Sequence, residues 1–366
     1  GAQQLKHERA NASVTIAGRS IGSGEPPYIV AEMSGNHNHD LARALSIVDA
    51  AKAAGADAVK LQTYRADTIT IDHHGDEFIV KGGLWNGRRL FELYEEAHTP
   101  WEWHTPIFEH ARRIGITVFS SPFDHTAVDF LEELDAPAYK IASPELIDLP
   151  LIRKVAHTGK PIVMSTGAAT LEEIGEAVQA ARDAGAVELV VLHCTAAYPA
   201  PSEEANLATI SALAERFNVV AGLSDHTLGT TVSALAVGLG ASFIEKHFTL
   251  ARADGGVDSA FSLEPRELAE LVTTARIAQA AVGKPNFGTT ASEASVLRNR
   301  RSLYVVRPIA KGEALTCNNI RSIRPANGLK PKYYDAVLGH RATRDIDFGE
   351  PLNFDMIEDY KADSAQ

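Results

Sequence analysis

The feature that most constrains this chain is a period. Eight short apolar runs recur along it: YIVAE (28–32), DAVKLQ (57–62), ITVFSS (116–121), AYKIAS (138–143), KPIVMST (160–166), ELVVLHC (188–194), NVVAGLS (218–224) and SFIEKHF (242–248). Between them lie stretches such as LARALSIVDAAKAAGA and LEEIGEAVQAARDAGA, with apolar residues three or four apart and several ending in Gly, the usual residue past a helix C-terminus. Eight strand-then-helix units in about 250 residues predict an α/β fold, the (β/α)8 or TIM barrel. Near-continuous Val and Ile runs suit parallel strands buried on both faces.

The chain has 366 residues, more than one barrel needs. KPNFGTTASEAS (284–295) is polar and breaks the helical period, and the residues beyond it form short strand-like runs rich in turns. The predicted division is a barrel domain with an N-terminal extension over 1–283, a linker over 284–297 and a small domain over 298–366. A long insertion between the second and third strands carries all three tryptophans, Trp85, Trp101 and Trp103, and is expected to be a lid or substrate wall. Its histidines, His73, His74, His98 and His104, read as solvated surface.

Composition narrows the function classes. With 35 Lys and Arg against 47 Asp and Glu, the net charge of −12 argues against a nucleic-acid or anionic-membrane surface, so an anionic ligand must meet a local basic pocket. Cys194 and Cys317 lie far apart and offer no disulfide framework, which points to a reducing, cytoplasmic compartment. No apolar run approaches the ~20 residues of a membrane span, and GAQQLKHERANAS lacks the apolar core of a signal peptide.

Barrel enzymes gather their catalytic groups at the C-terminal ends of the strands. Polar residues do collect there: Glu32, Lys60 with Gln62, Ser121, Lys140 with Ser143 and Glu145, Ser165, Tyr198, Ser224, His226, and Glu245 with His247. An unpaired buried ammonium is strongly disfavoured, so Lys60 and Lys140 need a partner. The favoured partner is a bound phosphoanion, helped by Ser121, Ser143, Ser165 and Ser224; the alternative is an internal ion pair with Glu32 or Glu145. A lone strand-end His is more often a hydrogen-bonded polar residue than a ligand, but His226 and His247 end neighbouring strands beside acidic groups. Together they predict an open divalent metal site, Mn²⁺ first, with Mg²⁺ or Co²⁺ as alternatives.

In order and spacing, AEMSGNHNHD, VKLQTY, FSSPFD, YKIASPE, MSTG, HCTAAYPAP, GLSDHT and IEKHFT resemble the sialic acid synthase family, and KGEALTCNNIRSIRPANGLKP resembles the antifreeze-like (SAF) domain that comes after the barrel there. The resemblance implies a condensation of phosphoenolpyruvate with a 2-acetamido aldose. It also implies that Lys60, Ser121, Lys140, Ser143, Ser165 and Ser224 hold phosphoenolpyruvate and that His226 and His247 hold the metal. Glu32, Gln62, Glu145, Tyr198 and Asp258 would serve the sugar or proton transfers, and Arg324 would reach the sugar from the partner of a domain-swapped homodimer. Ala196 stands where neuraminate-forming members commonly carry Asn.

The insertion GLWNGRRLFELYEEAHTPWEWH and the SGNHN motif resemble the pseudaminate-forming branch, which implies 2,4-diacetamido-2,4,6-trideoxy-altrose as the sugar, with neuraminate or legionaminate formation as alternatives. A pyruvate aldolase would use the same histidines but give no role to two buried lysines and four serines. A non-catalytic sugar-binding or assembly module would leave the polar strand ends scattered rather than intact.

Overall fold

The computed structural model describes residues 12–360, so most of the N-terminal stretch considered as a leader lies outside them. A two-residue turn at Ala17 and Gly18, both at positive φ, joins strands β1 (Ser13–Ile16) and β2 (Arg19–Gly22) in an antiparallel hairpin. Next come β3 (Tyr28–Glu32), β4 (Ala58–Thr63), β5 (Thr117–Pro122), β6 (Tyr139–Ile141), β7 (Ile162–Ser165), β8 (Leu189–Cys194), β9 (Val220–Asp225) and β10 (Phe243–His247). These eight pair in parallel, each with the next, and β10 closes on β3 to complete the barrel.

Local chemistry sets the helices between them. Asp40 caps Leu41–Ala54 by accepting from the Ala42 amide, and Gly55 ends it in the left-handed conformation at φ 91°. The capping box of Thr170 and Glu173 starts Leu171–Asp183 in the same manner. The outer core lies between helices and strands. The barrel interior is a separate cluster, in which Val30, Phe119, Val163, Val190, Leu192 and Phe243 pack with Val14, Ile16 and Ile21 of the hairpin. The hairpin thus supplies apolar side chains to the barrel interior, a role not foreseen for the N-terminal extension.

The chain divides into two compact units, Gly1–Gly283 and Lys284–Gln366. The stretch expected as a linker over 284–297 falls within the second unit and carries the short helix Ala294–Arg298. That unit also holds the antiparallel pair β11 (Ser302–Val305) and β12 (Ile320–Ile323), and it has its own core around Leu303, Val305, Leu315, Ile320 and Leu352. Among the described residues no helix is long and apolar enough to cross a membrane.

Gly222 is where the barrel interior is tightest, because a Cβ there would collide with the carbonyl oxygen of Phe243 and stand 2.9 Å from Leu192 Cδ2. A backbone oxygen cannot swing aside. Gly222→Ala is therefore expected to cost about 1–3 kcal/mol, as overpacking does. The lowered urea midpoint of the barrel would report it, and an unchanged midpoint would show that the strand can shift.

Candidate active site

Alternation along the strands turns every second residue into the barrel mouth, and parallel register lines these residues up between neighbours. Glu32 pairs in register with Lys60, Gln62 with Ser121, and Glu245 with Ser224. The result is a buried charge cluster. Glu245 accepts from Lys140 Nζ at 2.9 and 3.1 Å, from Lys60 Nζ at 3.2 Å and from Ser224 Oγ at 3.3 Å. Lys60 also donates to Ser121 Oγ at 3.3 Å and lies 3.5 Å from Glu32 Oε2. Glu32 in turn accepts from Gln62 Nε2 at 2.7 Å.

These groups titrate away from their ordinary values. Burial opposes charge on Glu245, but the Lys140 ammonium and then that of Lys60 hold its carboxyl well below the usual carboxylate range. Glu32 goes the other way, pushed up to about 7 by burial, with Lys60 pulling against it. Glu145, in the turn Ser143–Glu145 just past β6, is also pushed up to about 7, by burial and then by Asp148.

His226 and His247 close the mouth with ring centroids 5.5 Å apart. Burial lowers His226 to about 4 and carries His247 well below its ordinary value, so both are neutral at pH 7, the form that binds metals. His226 Nδ1 is 2.9 Å from the Thr195 carbonyl oxygen, which leaves Nε2 as the nitrogen that could hold an ion; His247 Nδ1 is buried with no partner. Among the described residues no three His, Cys, Asp or Glu side chains converge as a metal site. The pair therefore fits an ion whose remaining positions belong to water or substrate.

Tyr198 covers His226 at 4.2 Å between centroids, and its ring lies 5.6 Å from Trp85 and 5.2 Å from Phe261. Trp85 is fixed by donation from Nε1 to the Val257 carbonyl at 2.9 Å. The other two tryptophans face elsewhere. Trp101 stacks on Phe130 at 4.9 Å and carries Arg65 over its ring, while Trp103 meets His37 edge-on.

The NeuB family model matches residues 47–286, and the SAF domain model matches residues 300–358. The chain belongs to the NeuB family. It is 46% identical to the pseudaminic acid synthase of Campylobacter jejuni over 328 residues, covering 89% of this chain and 95% of that protein. It is 44% identical to that of Helicobacter pylori, covering 91% and 98%. Among solved structures it resembles the N-acetylneuraminic acid synthetase of Leptospira borgpetersenii, with a TM-score of 0.70 and 30% identity over 78% of this chain and 95% of that one. Relatives of this kind are enzymes, and so is this chain.

Within this NeuB barrel the structure brings Glu32, Lys60, Gln62, Ser121, Lys140 and Ser224 into one bonded set. Ser143 sits beside them, accepting from the Gly167 amide at 2.9 Å, and Ser165 ends β7 with its hydroxyl buried and unpartnered. Arg324 lies in the second unit just past β12, exposed to solvent.

The internal partner of the lysines and the setting of His104 differ from expectation. The lysines already have a counter-ion in the protein, and it is Glu245, with Glu32 beside Lys60; Glu145 pairs with neither, and its Oε1 is buried without a partner. Glu245, noted at a strand end but not expected as the lysines' partner, turns to the same face as His247 through its i, i+2 spacing on the last strand. Asp258 accepts from Ser34 Oγ and from the Gly35 amide at 3.3 Å, so its carboxylate latches the loop after β3. His104 is buried rather than solvated, 2.8 Å from Thr63 Oγ1.

The charge cluster makes two outcomes measurable. Glu245→Gln leaves two buried ammonium groups short of a counter-charge, so the barrel should lose about 3–5 kcal/mol. Inorganic phosphate should raise the melting temperature of this variant more than that of the parent, and equal shifts would place the anion elsewhere. Glu145 binds its proton more tightly folded than unfolded, so between its ordinary 4.5 and about 7 the folded state holds more protons and stability falls as pH rises. Glu145→Gln should flatten that part of the stability profile measured by urea unfolding; an unchanged slope would assign it to another group.

Proposed function

We propose that this chain condenses phosphoenolpyruvate with 2,4-diacetamido-2,4,6-trideoxy-altrose, giving pseudaminic acid and inorganic phosphate. The observation that carries the reading is the mouth itself, where two buried lysines meet strand-end serines, two neutral imidazoles and two carboxyls that titrate near 7. The 44–46% identity to pseudaminic acid synthases over nearly their whole length supports the choice of sugar.

In this reading Lys60, Lys140 and the hydroxyls of Ser121, Ser143, Ser165 and Ser224 hold the enolpyruvate phosphate, a local field overriding the net charge of −12. His226 and His247 would hold a divalent ion, Mn²⁺ rather than Mg²⁺ by imidazole affinity, which would supply Lewis acidity toward the aldehyde oxygen. Carbon 3 of the enolpyruvate bonds to the aldehyde carbon, positive charge develops at carbon 2, and water adds there. The tetrahedral adduct then expels phosphate with its bridging oxygen. Glu145 and Glu32 can each hold or release a proton at neutral pH, and one stabilises the cation while the other activates water. Gln62 orients Glu32, and Asp258 serves the sugar through the loop it latches.

Trp85, Tyr198 and Phe261 form an apolar wall suited to the methyl groups that distinguish this sugar from N-acetylmannosamine. Arg324 reaches the sugar from the partner subunit of a domain-swapped homodimer, and the enzyme works in the cytoplasm on soluble substrates.

Phosphate release and product mass, measured with a panel of diacetamido and monoacetamido aldoses, test the reading. The trideoxy-altrose derivative should exceed N-acetylmannosamine by at least about tenfold in kcat/KM. Equal or reversed preference would make the chain a neuraminate synthase, and turnover that survives exhaustive chelation would contradict the metal. Trp85→Ala should narrow the preference and Trp101→Ala should not.

A further inference from the structure

Strands β9 and β10 repeat one pattern side by side. Ser224 and Asp225 end β9 with His226 just beyond, and they match Glu245, Lys246 and His247 of β10, with Glu245 opposite Ser224 and Lys246 opposite Asp225. The first and third residues of each triplet turn into the mouth, and the middle ones turn outward toward the helix layer. That layer is built of apolar side chains, yet Asp225 and Lys246 are only 3% and 1% exposed.

All but one of their bonds lie beside the histidines. Asp225 Oδ1 accepts from the Thr227 amide at 2.8 Å and from its hydroxyl at 2.7 Å, which closes a turn around His226. Asp225 Oδ2 accepts from Ser233 Oγ at 2.6 Å, on helix Thr231–Gly238, and from Lys246 Nζ at 3.3 Å. Lys246 Nζ also donates to the Thr227 carbonyl at 2.6 Å. The backbone on both sides of His226 is therefore tied to the residue immediately before His247.

A buried ion pair is a poor source of stability, since an apolar pair of similar volume is often as stable or more so. What this pair does provide is a fixed spacing between two backbone segments. We propose that Asp225 and Lys246 are positioning residues that set the separation and aim of His226 and His247 as a two-histidine metal site. The inference rests on the reading of His226 and His247 as the metal ligands. Groups behind metal ligands commonly govern affinity by about 10–100-fold.

The test is Mn²⁺ titration of the full chain, monitored by the electron paramagnetic resonance signal of free Mn²⁺ and paired with a thermal melt of each variant. Lys246→Met and Asp225→Asn should bind Mn²⁺ about 10–100-fold more weakly than the parent. Because either single change strands a buried polar group and could unfold the barrel, the paired change Asp225→Leu with Lys246→Met removes both charges together. It should melt near the parent temperature and still lose the affinity. Parent-like Mn²⁺ affinity in the folded double variant would overturn the proposal. His226→Ala, measured alongside, separates the two readings: if it binds Mn²⁺ as the parent does, the metal assignment is wrong and this inference falls with it. If His226→Ala loses the ion while the double variant keeps it, only the positioning role is wrong.

Discussion

One carboxylate holds the site together. Glu245, on the last barrel strand, reaches across the mouth to Lys60 on the second and Lys140 on the fourth, and all three are almost fully buried. Two ammonium groups in such a place would repel each other and lose their hydration; a shared carboxylate makes their burial tolerable. It also cross-braces strands that are not neighbours, so the side-chain arrangement facing a ligand is set before one binds. Burial and neighbouring charge then separate the carboxyls: Glu245 stays ionised between its lysines, whereas Glu32 and Glu145 are raised into the neutral range, where a proton can be exchanged.

The barrel was legible because parallel strands buried on both faces leave uninterrupted apolar runs, and each of the eight runs overlaps a strand nearly end to end. The polar strand ends were legible for the same reason, since a charged residue stands out at the end of such a run. Which acid partners which lysine was not. Period two assigns a face to Glu245, but distances across a closed barrel depend on tilt and register, and no local pattern encodes those. Glu145 looked equivalent in sequence, yet it sits after β6 in a tight turn and pairs with neither ammonium group. The four-residue strands of the N-terminal hairpin were too short to show a period, although the alternation in VTIAGRSI around Ala17 and Gly18 hints at a turn between two strands.

The long insertion divides its labour in a way composition could not show. Trp101 and Trp103 anchor it to Phe130 and His37, while Trp85 is carried to Tyr198 and Phe261 beside the two histidines. The loop after β3 is tied down from the other side by Asp258, and Gly35 is needed there because a Cβ would stand 2.7 Å from Val257. The titratable groups of the mouth thus sit on strand ends, and the loops beside them are latched in place by Asp258 and Trp85.

The proposed reaction joins enolpyruvate to an aldehyde in this mouth and expels phosphate from carbon 2. Phosphoenolpyruvate labelled with ¹⁸O at the bridging oxygen, incubated with the enzyme and 2,4-diacetamido-2,4,6-trideoxy-altrose, tests it directly by mass spectrometry of both products. The label is expected in inorganic phosphate beside an unlabelled nonulosonic acid. Label retained in the keto acid would show cleavage between phosphorus and oxygen and rule out water addition at carbon 2.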